Sequence, residues 1–259
     1  MANALEHDPT ILASRLAGAW RDGMLLDTPP AHIVPVDAHA AFVVQHEVLA
    51  LQGISIGGWK IGAKSIDGPI LGSPLPANAH YASGVRLRRQ AFSPLGLELE
   101  IGFRFARAFE PRETPYTDDE VLAAIGTMET TIEIVASRYR AWPDVDARLM
   151  LADLQCHGAL ISGAAVPYDK DFPFEHPDVQ FRFGEKDIAG ALRPANPAGD
   201  PRRLLTWLVN HCTRTHCIVL TPDMVVTTGS YTAMFATAGP GLASGTINGL
   251  PSVCVELHD

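Results

Sequence analysis

The sequence predicts an α+β fold: a helical lobe over residues 1–55, then a rolled or barrel-like sheet body over residues 56–259. Two helix-period runs open the chain, each stopped by a glycine, Gly23 and then Gly53. Short β-branched and alternating runs follow, without the regular strand–helix alternation of a parallel sheet.

In the first helix, residues 9–23, Ile11, Leu12, Leu16, Ala19 and Trp20 recur at helical spacing. The second spans Asp37–Leu51, with Ala41, Val44, Val48 and Leu51 on one face. A short strand follows at 54–63, with Lys60 between Trp59 and Ile61 and flanked by Gly58 and Gly62; such glycines allow a close approach to the backbone. Gly68–Pro76 reads as a Pro/Gly-rich loop, and the basic cluster Arg86–Arg89 as a loop or strand end. Leu97–Phe105 alternates strictly and is a strand with one face in a core. Thr117 and Glu120 make a capping box for a short helix, and Thr130–Ala136 is a strand. Asp200 caps a helix begun by Pro201, whose apolar stripe takes in Leu204, Leu205, Leu208, Val209 and Cys212. Cys217–Leu220, Met224–Thr228 and Val253–Leu257 read as strands, with Thr221-Pro-Asp and Asn248-Gly249 as turns.

The 259 residues are 47% hydrophobic and 19% charged, enough for a sizeable core. A net charge of −9 disfavours nucleic acid or an anionic membrane as partner. No apolar run approaches the length of a membrane span, and the first eight residues lack the pattern of a secretory signal. Four scattered cysteines show no disulfide framework, so a cytoplasmic protein is expected. The pairs His211-Cys212 and His216-Cys217 lack a Cys-x-x-Cys partner, and packing is their expected role.

The chemistry gathers on the alternating strand. Glu98 and Glu100 point the same way, and two like charges so placed repel unless something positive lies between them. A hard divalent cation, which takes oxygen ligands, is the simplest remedy. Glu133, set between Ile132 and Ile134, needs a partner if buried and is the natural third donor. Lys60 is a candidate anion holder or proton carrier.

Gly58-Trp-Lys-Ile-Gly, Leu97-Glu-Leu-Glu-Ile-Gly-Phe, Ile132-Glu-Ile-Val-Ala-Ser-Arg138, Leu151-Ala-Asp153 and Thr228-Gly-Ser-Tyr-Thr232 occur in that order. Gln45 and Thr206-Trp-Leu fall in place around them. Together they resemble the 2-keto-4-pentenoate hydratase and 4-oxalocrotonate decarboxylase family of the fumarylacetoacetate hydrolase superfamily, over nearly the whole chain. The resemblance implies a mixed β-roll body, a homo-oligomer, and Mg²⁺ or Mn²⁺ held by Glu98, Glu100 and Glu133. It implies that the metal chelates the 1-carboxylate and 2-oxo group of a small 2-oxo acid. Lys60 would hold the carboxylate or shuttle a proton, Asp153 and His157 would orient water or relay protons, and Gly229-Ser230 would donate to the substrate carboxylate. A lyase of aromatic-compound catabolism is expected. Hydration of a 2-hydroxydienoic acid leads, decarboxylation of a 4-oxalocrotonate-like 2-oxo diacid follows, and acylpyruvate-type hydrolysis comes third. A non-catalytic metal- or ligand-binding member is the alternative from another class.

Two departures bear on the reaction. Family hydratases usually carry a Pro-Asp-aromatic-Gly loop after the Lys strand; here Gly68-Pro-Ile-Leu-Gly72 has no acid at that place, and Asp67 lies just upstream. After Asp153 the family commonly has Asn-Ala-Ser, whereas this chain has Leu154-Gln155-Cys156-His157.

Overall fold

The computed structural model describes residues 8–190 and 193–259. The expected start of the helical lobe and the signal-sequence reading fall largely on residues 1–7, outside the described residues. The chain begins with helices α1 (Pro9–Asp22) and α2 (Ala38–Gln52). Strands β1 (Ile56–Gly62), β2 (Leu71–Pro76), β3 (His80–Ala82), β4 (Val85–Arg88) and β5 (Gly96–Phe105) follow. Next come α3 (Asp118–Leu122), β6 (Ile125–Val135), α4 (Ala147–Ala152), β7 (His157–Ser162), β8 (Val166–Pro167), β9 (Val179–Phe183) and β10 (Lys186–Asp187). The chain closes with α5 (Arg203–Asn210), β11 (Val225–Thr227), β12 (Phe235–Ala236), β13 (Gly241–Ile247) and β14 (Val253–His258).

Both N-terminal helices are fixed at each end by their own sequence. The Asp8 and Asp37 side chains accept from the Thr10 and Ala40 N–H groups, and Gly23 and Gly53 stop the helices in the left-handed region. Leu12, Leu16, Phe42 and Val48 bury themselves against Tyr139, Val145, Leu149 and Leu151, so the lobe packs on the segment around α4.

The larger sheet runs β2-β1-β11-β5-β6-β7-β3, with β12 added to β5 and β8 to β6; the smaller runs β10-β9-β13-β14-β4. With β2 and β3 at its two edges, the larger ladder is an open roll among the described residues. One face carries Trp59, Leu97, Leu99, Ile101, Ile132 and Ile134 into a core shared with the smaller sheet and α5. Since side chains alternate, the other face receives Lys60, Glu98, Glu100 and Glu133.

Three expectations need correction. Leu71–Pro76 is a strand, not a loop; as a sheet edge, it loses no ladder bond on its free side to Pro74 and Pro76. The basic cluster does fall at a strand end, as expected, on the last three residues of β4 and Arg89 after it, and Arg86 pairs with Glu256 at 2.9 Å. Cys217–Leu220 is not a strand: Cys217 has φ 53° and the segment makes one isolated bridge, Leu220 to Phe109. Asp200 accepts from the Arg202 N–H, but the helix itself starts at Arg203.

Candidate active site

The antiparallel register of β5 and β6 sets Glu98 directly opposite Glu133, with Glu100 two residues along the same face. Each of the three offers a carboxylate oxygen within 4.8 Å of the other two. The parallel pairing of β1 with β11, and the antiparallel pairing of β11 with β5, bring Lys60 alongside through Thr227 and Gly102. Its Nζ donates to Glu133 Oε1 at 2.6 Å and to the Gln155 carbonyl at 3.2 Å. The Gly229 N–H donates to Glu100 Oε2 at 3.1 Å; with φ +93° that position favours glycine. Gly58 has a different task, since a Cβ there would lie 2.4 Å from the Val225 carbonyl oxygen. What approaches the backbone there is the neighbouring strand.

Lys60, Glu98, Glu100 and Gly229 line a cavity of about 510 Å³, and Glu133 is buried beside them, bonded to Lys60. Its lining includes Lys60, Lys64, Leu71, Glu98, Glu100, Gln155, Gly229 and Ser230. The β1–β2 loop contributes Ala63, Lys64 and Pro69 to the wall; Asp67 is not part of it.

Burial, then the charge of Glu133, pushes the Glu98 carboxyl up to about 7, against the pull of Lys60. Burial, Glu133 and Glu98 raise Glu100 to about 8. Glu133 moves the other way: burial would raise it, but the Lys60 charge and the His157 hydrogen bond prevail and hold it low. Burial would likewise lower Lys60, yet the three carboxylates outweigh it and keep the ammonium charged. The site is short of positive charge. Glu133 Oε2 is buried without a hydrogen-bond partner, and every donor atom in the trio is a carboxylate oxygen; both fit a hard divalent cation.

The structure brings Lys60, Glu98, Glu100, Glu133, Gly229 and Ser230 together. It does not bring Asp153 to the cavity wall. That carboxylate accepts from the Arg138 guanidinium, the Arg138 N–H at 2.9 Å and the Ser137 hydroxyl at 3.2 Å, with its side chain 2% exposed. His157 is fully buried behind Glu133, its Nδ1 2.9 Å from Glu133 Oε1. Because the carboxylate can only accept, Nδ1 carries the proton, and burial keeps the ring neutral. Its Nε2 is buried without a partner and is not part of the cavity wall.

Gln155 and Arg138 were not singled out from the sequence. Leu154, Gln155 and Cys156 all stand in the left-handed region, at φ 48°, 50° and 59°, which turns the Gln155 carbonyl onto Lys60. No glycine or asparagine marks that turn. Arg138 holds it, donating to the Asp153 side chain and to the Asp153 and His157 carbonyls. Its only signal was its place at the end of the Glu-Ile-Val motif.

No protein-family model matches the chain, and no curated protein matches it. Solved structures do. The chain is similar to 4-oxalocrotonate decarboxylase from Pseudomonas putida G7, complexed with magnesium and adipate: TM-score 0.83, 18% identity, 96% of this chain and 97% of that one. It is also similar to 2-hydroxyhepta-2,4-diene-1,7-dioate isomerase from Mycobacterium marinum, with TM-score 0.57, 14% identity, and 79% and 76% of the two chains covered. Fumarylpyruvate hydrolase from Pseudomonas aeruginosa, in complex with Mn²⁺ and pyruvate, matches with TM-score 0.53, 15% identity, and 77% and 88% covered. At these identities the likeness establishes the fold.

Proposed function

We propose that this chain, whose fold is that of 4-oxalocrotonate decarboxylase, is a divalent-metal-dependent lyase of the fumarylacetoacetate hydrolase superfamily acting on a small 2-oxo acid. One observation carries the reading: three carboxylates, short of positive charge, converge beside a charged lysine at a cavity of about 510 Å³. Glu98, Glu100 and Glu133 would hold Mg²⁺ or Mn²⁺, in keeping with the magnesium and manganese in the complexes of similar fold. A cation there supplies Lewis acidity to the 1-carboxylate and 2-oxo group of the substrate. The Gly229-Ser230 turn lines the same cavity and orients the substrate carboxylate. Lys60 stays charged and carries the proton returned to the substrate carbon.

The lining favours decarboxylation over hydration. Adding water to an enone takes a group that activates the water and another that delivers a proton. Asp153 is saturated by Arg138 and Ser137, and His157 stands behind Glu133, so neither lies at the wall. Loss of CO₂ asks only for stabilised negative charge and one proton, which Lys60 can supply. Hydration is the second reading, with a water at the open end of the cavity as nucleophile.

The test is incubation with Mg²⁺ and either 4-oxalocrotonate or 2-hydroxypenta-2,4-dienoate, following absorbance and CO₂. The expected result is CO₂ release from the diacid, abolished by a chelator. Consumption of the dienoate alone would make the chain a hydratase. No metal-dependent turnover of either, or of an acylpyruvate, would overturn the enzymatic reading.

A further inference from the structure

The cavity beside the acidic trio holds a second cation that the proposed chemistry does not use. Lys64 stands two residues past the end of β1 and lines the same cavity as Lys60, Glu98 and Glu100. Among the described residues the other lysines are partnered: Lys60 with Glu133, Lys170 with Asp171, and Lys186 over the Phe235 ring. Lys64 makes no such pair among them. It also stands apart from the metal pole. The charges acting on Glu98, Glu100 and Glu133 are one another's and those of Lys60 and His157, without Lys64. The remaining wall from the β1–β2 loop and β2 is apolar, with Ala63, Pro69 and Leu71. Four residues of extended chain put the α-carbons of Lys60 and Lys64 about 13 Å apart, a gap that a six-carbon chain with a lysine at each end can bridge.

The backbone that carries Lys64 is fixed on both sides. Before it, Ile61 and Gly62 pair with Gly72 and Leu71 in the sheet. After it, the Ser65 carbonyl accepts from Arg203 Nη2 at 3.1 Å and from the Gly68 N–H at 3.0 Å. Arg203 Nε donates at 2.8 Å to the Ala198 carbonyl, which ties the loop to the start of α5. An exposed lysine is thus set at the cavity by an anchored loop, its side chain left without an acid of its own.

Resting on the metal-dependent reading above, we propose that Lys64 is the residue that selects a dicarboxylic substrate. It takes the distal carboxylate of a 2-oxo diacid whose 1-carboxylate and 2-oxo group lie at the acidic trio. A monoacid leaves this ammonium unused, whereas a diacid gains a charge-assisted bond to it. A compact charge on a flexible stem suits a carboxylate whose place shifts with the length of the carbon chain.

The experiment is calorimetric titration of 2-oxoadipate and of 2-oxohexanoate into the Mg²⁺-loaded chain. These acids share a carbon skeleton and differ in the second carboxylate. 2-Oxoadipate should bind about tenfold more tightly, the order expected of one hydrogen bond between charged groups, and the margin should shrink in high salt. Lys64→Gln should weaken 2-oxoadipate alone and so erase the margin, and Lys64→Arg should keep most of it. Glu98→Gln, which touches the metal pole, should weaken both acids. Equal binding of the two acids by the unaltered chain would overturn the role of Lys64 while the metal site stands. A margin that survives Lys64→Gln would do the same. Failure of both acids to bind with Mg²⁺ present would overturn the reading of the site and the role of Lys64 with it.

Discussion

At the scale of the residue, Lys60 decides the electrostatics of the site. It is 14% exposed, 2.6 Å from Glu133, and the only cation bonded to the acidic trio among the described residues. Replacing it with an apolar side chain has two opposite consequences. Lys60→Met should end turnover, because the proton carrier is gone. It should also tighten Mg²⁺ binding by about tenfold, because a like charge beside the cation has been removed. Calorimetric titration of Mg²⁺ into the two proteins checks this. A large loss of affinity would make Lys60 an organiser of the metal site and not a group reserved for the substrate. His157 belongs to the same scale. The sequence placed a histidine near the acids, but it could not tell a ring at the cavity wall from one that braces Glu133 from behind.

At the scale of the element, the turn after α4 carries three consecutive non-glycine residues in the left-handed region, each costing of order 1–2 kcal/mol. Arg138 keeps it there, and Asp153 depends on the same guanidinium. Arg138→Met leaves Asp153 buried without its partner and should destabilise the protein by about 3–5 kcal/mol, as measured by denaturant unfolding. A change below 1 kcal/mol would mean that the turn holds itself.

The seam between α2 and the end of α5 has its own signature in acid. His46 and His211 are lowered to about 4 and about 3 in the folded chain and return to about 6.5 on unfolding. The unfolded chain therefore binds more protons between those values, so stability is complete above pH 6.5 and falls as pH drops towards 4. A pH series of melting temperatures should show this fall, and His211→Phe should flatten it. An unchanged slope in the variant would place the acid sensitivity elsewhere.

At the scale of the whole molecule, period and the glycine stops made the helices legible, because Gly23 and Gly53 act within a few residues of themselves. Glu98 and Glu100 were legible for the same reason: strict alternation fixes a face. What sequence could not supply was set by distant partners. Leu71–Pro76 is a strand because β1 lies beside it, and the Gln155 carbonyl meets Lys60 because Arg138 turns the chain there. Asp153 sat in a motif, but its partner decided that it faces Arg138 and not the cavity.

The acidic trio also gives the molecule a pH dependence opposite to that of the histidines. Glu98 and Glu100 are raised to about 7 and about 8 when folded, so without metal the native state holds protons that the unfolded state has released. That contribution is complete below about pH 4.5 and is lost as pH rises through 7 to 8. In chelator, the melting temperature should therefore fall between pH 6 and 9, and Mg²⁺ should restore most of the loss at the alkaline end. A chelated protein equally stable across that range would mean that the carboxylates are not held together without metal.

On the proposed function, Glu98, Glu100 and Glu133 would together hold one divalent cation. Anomalous diffraction from crystals grown with Mn²⁺ tests it most directly. The expected result is a peak among the three carboxylates, with an oxygen from each at roughly 2.0–2.6 Å, the range for hard divalent ions. Mn²⁺ bound only elsewhere, or a site that leaves out Glu133, would contradict it.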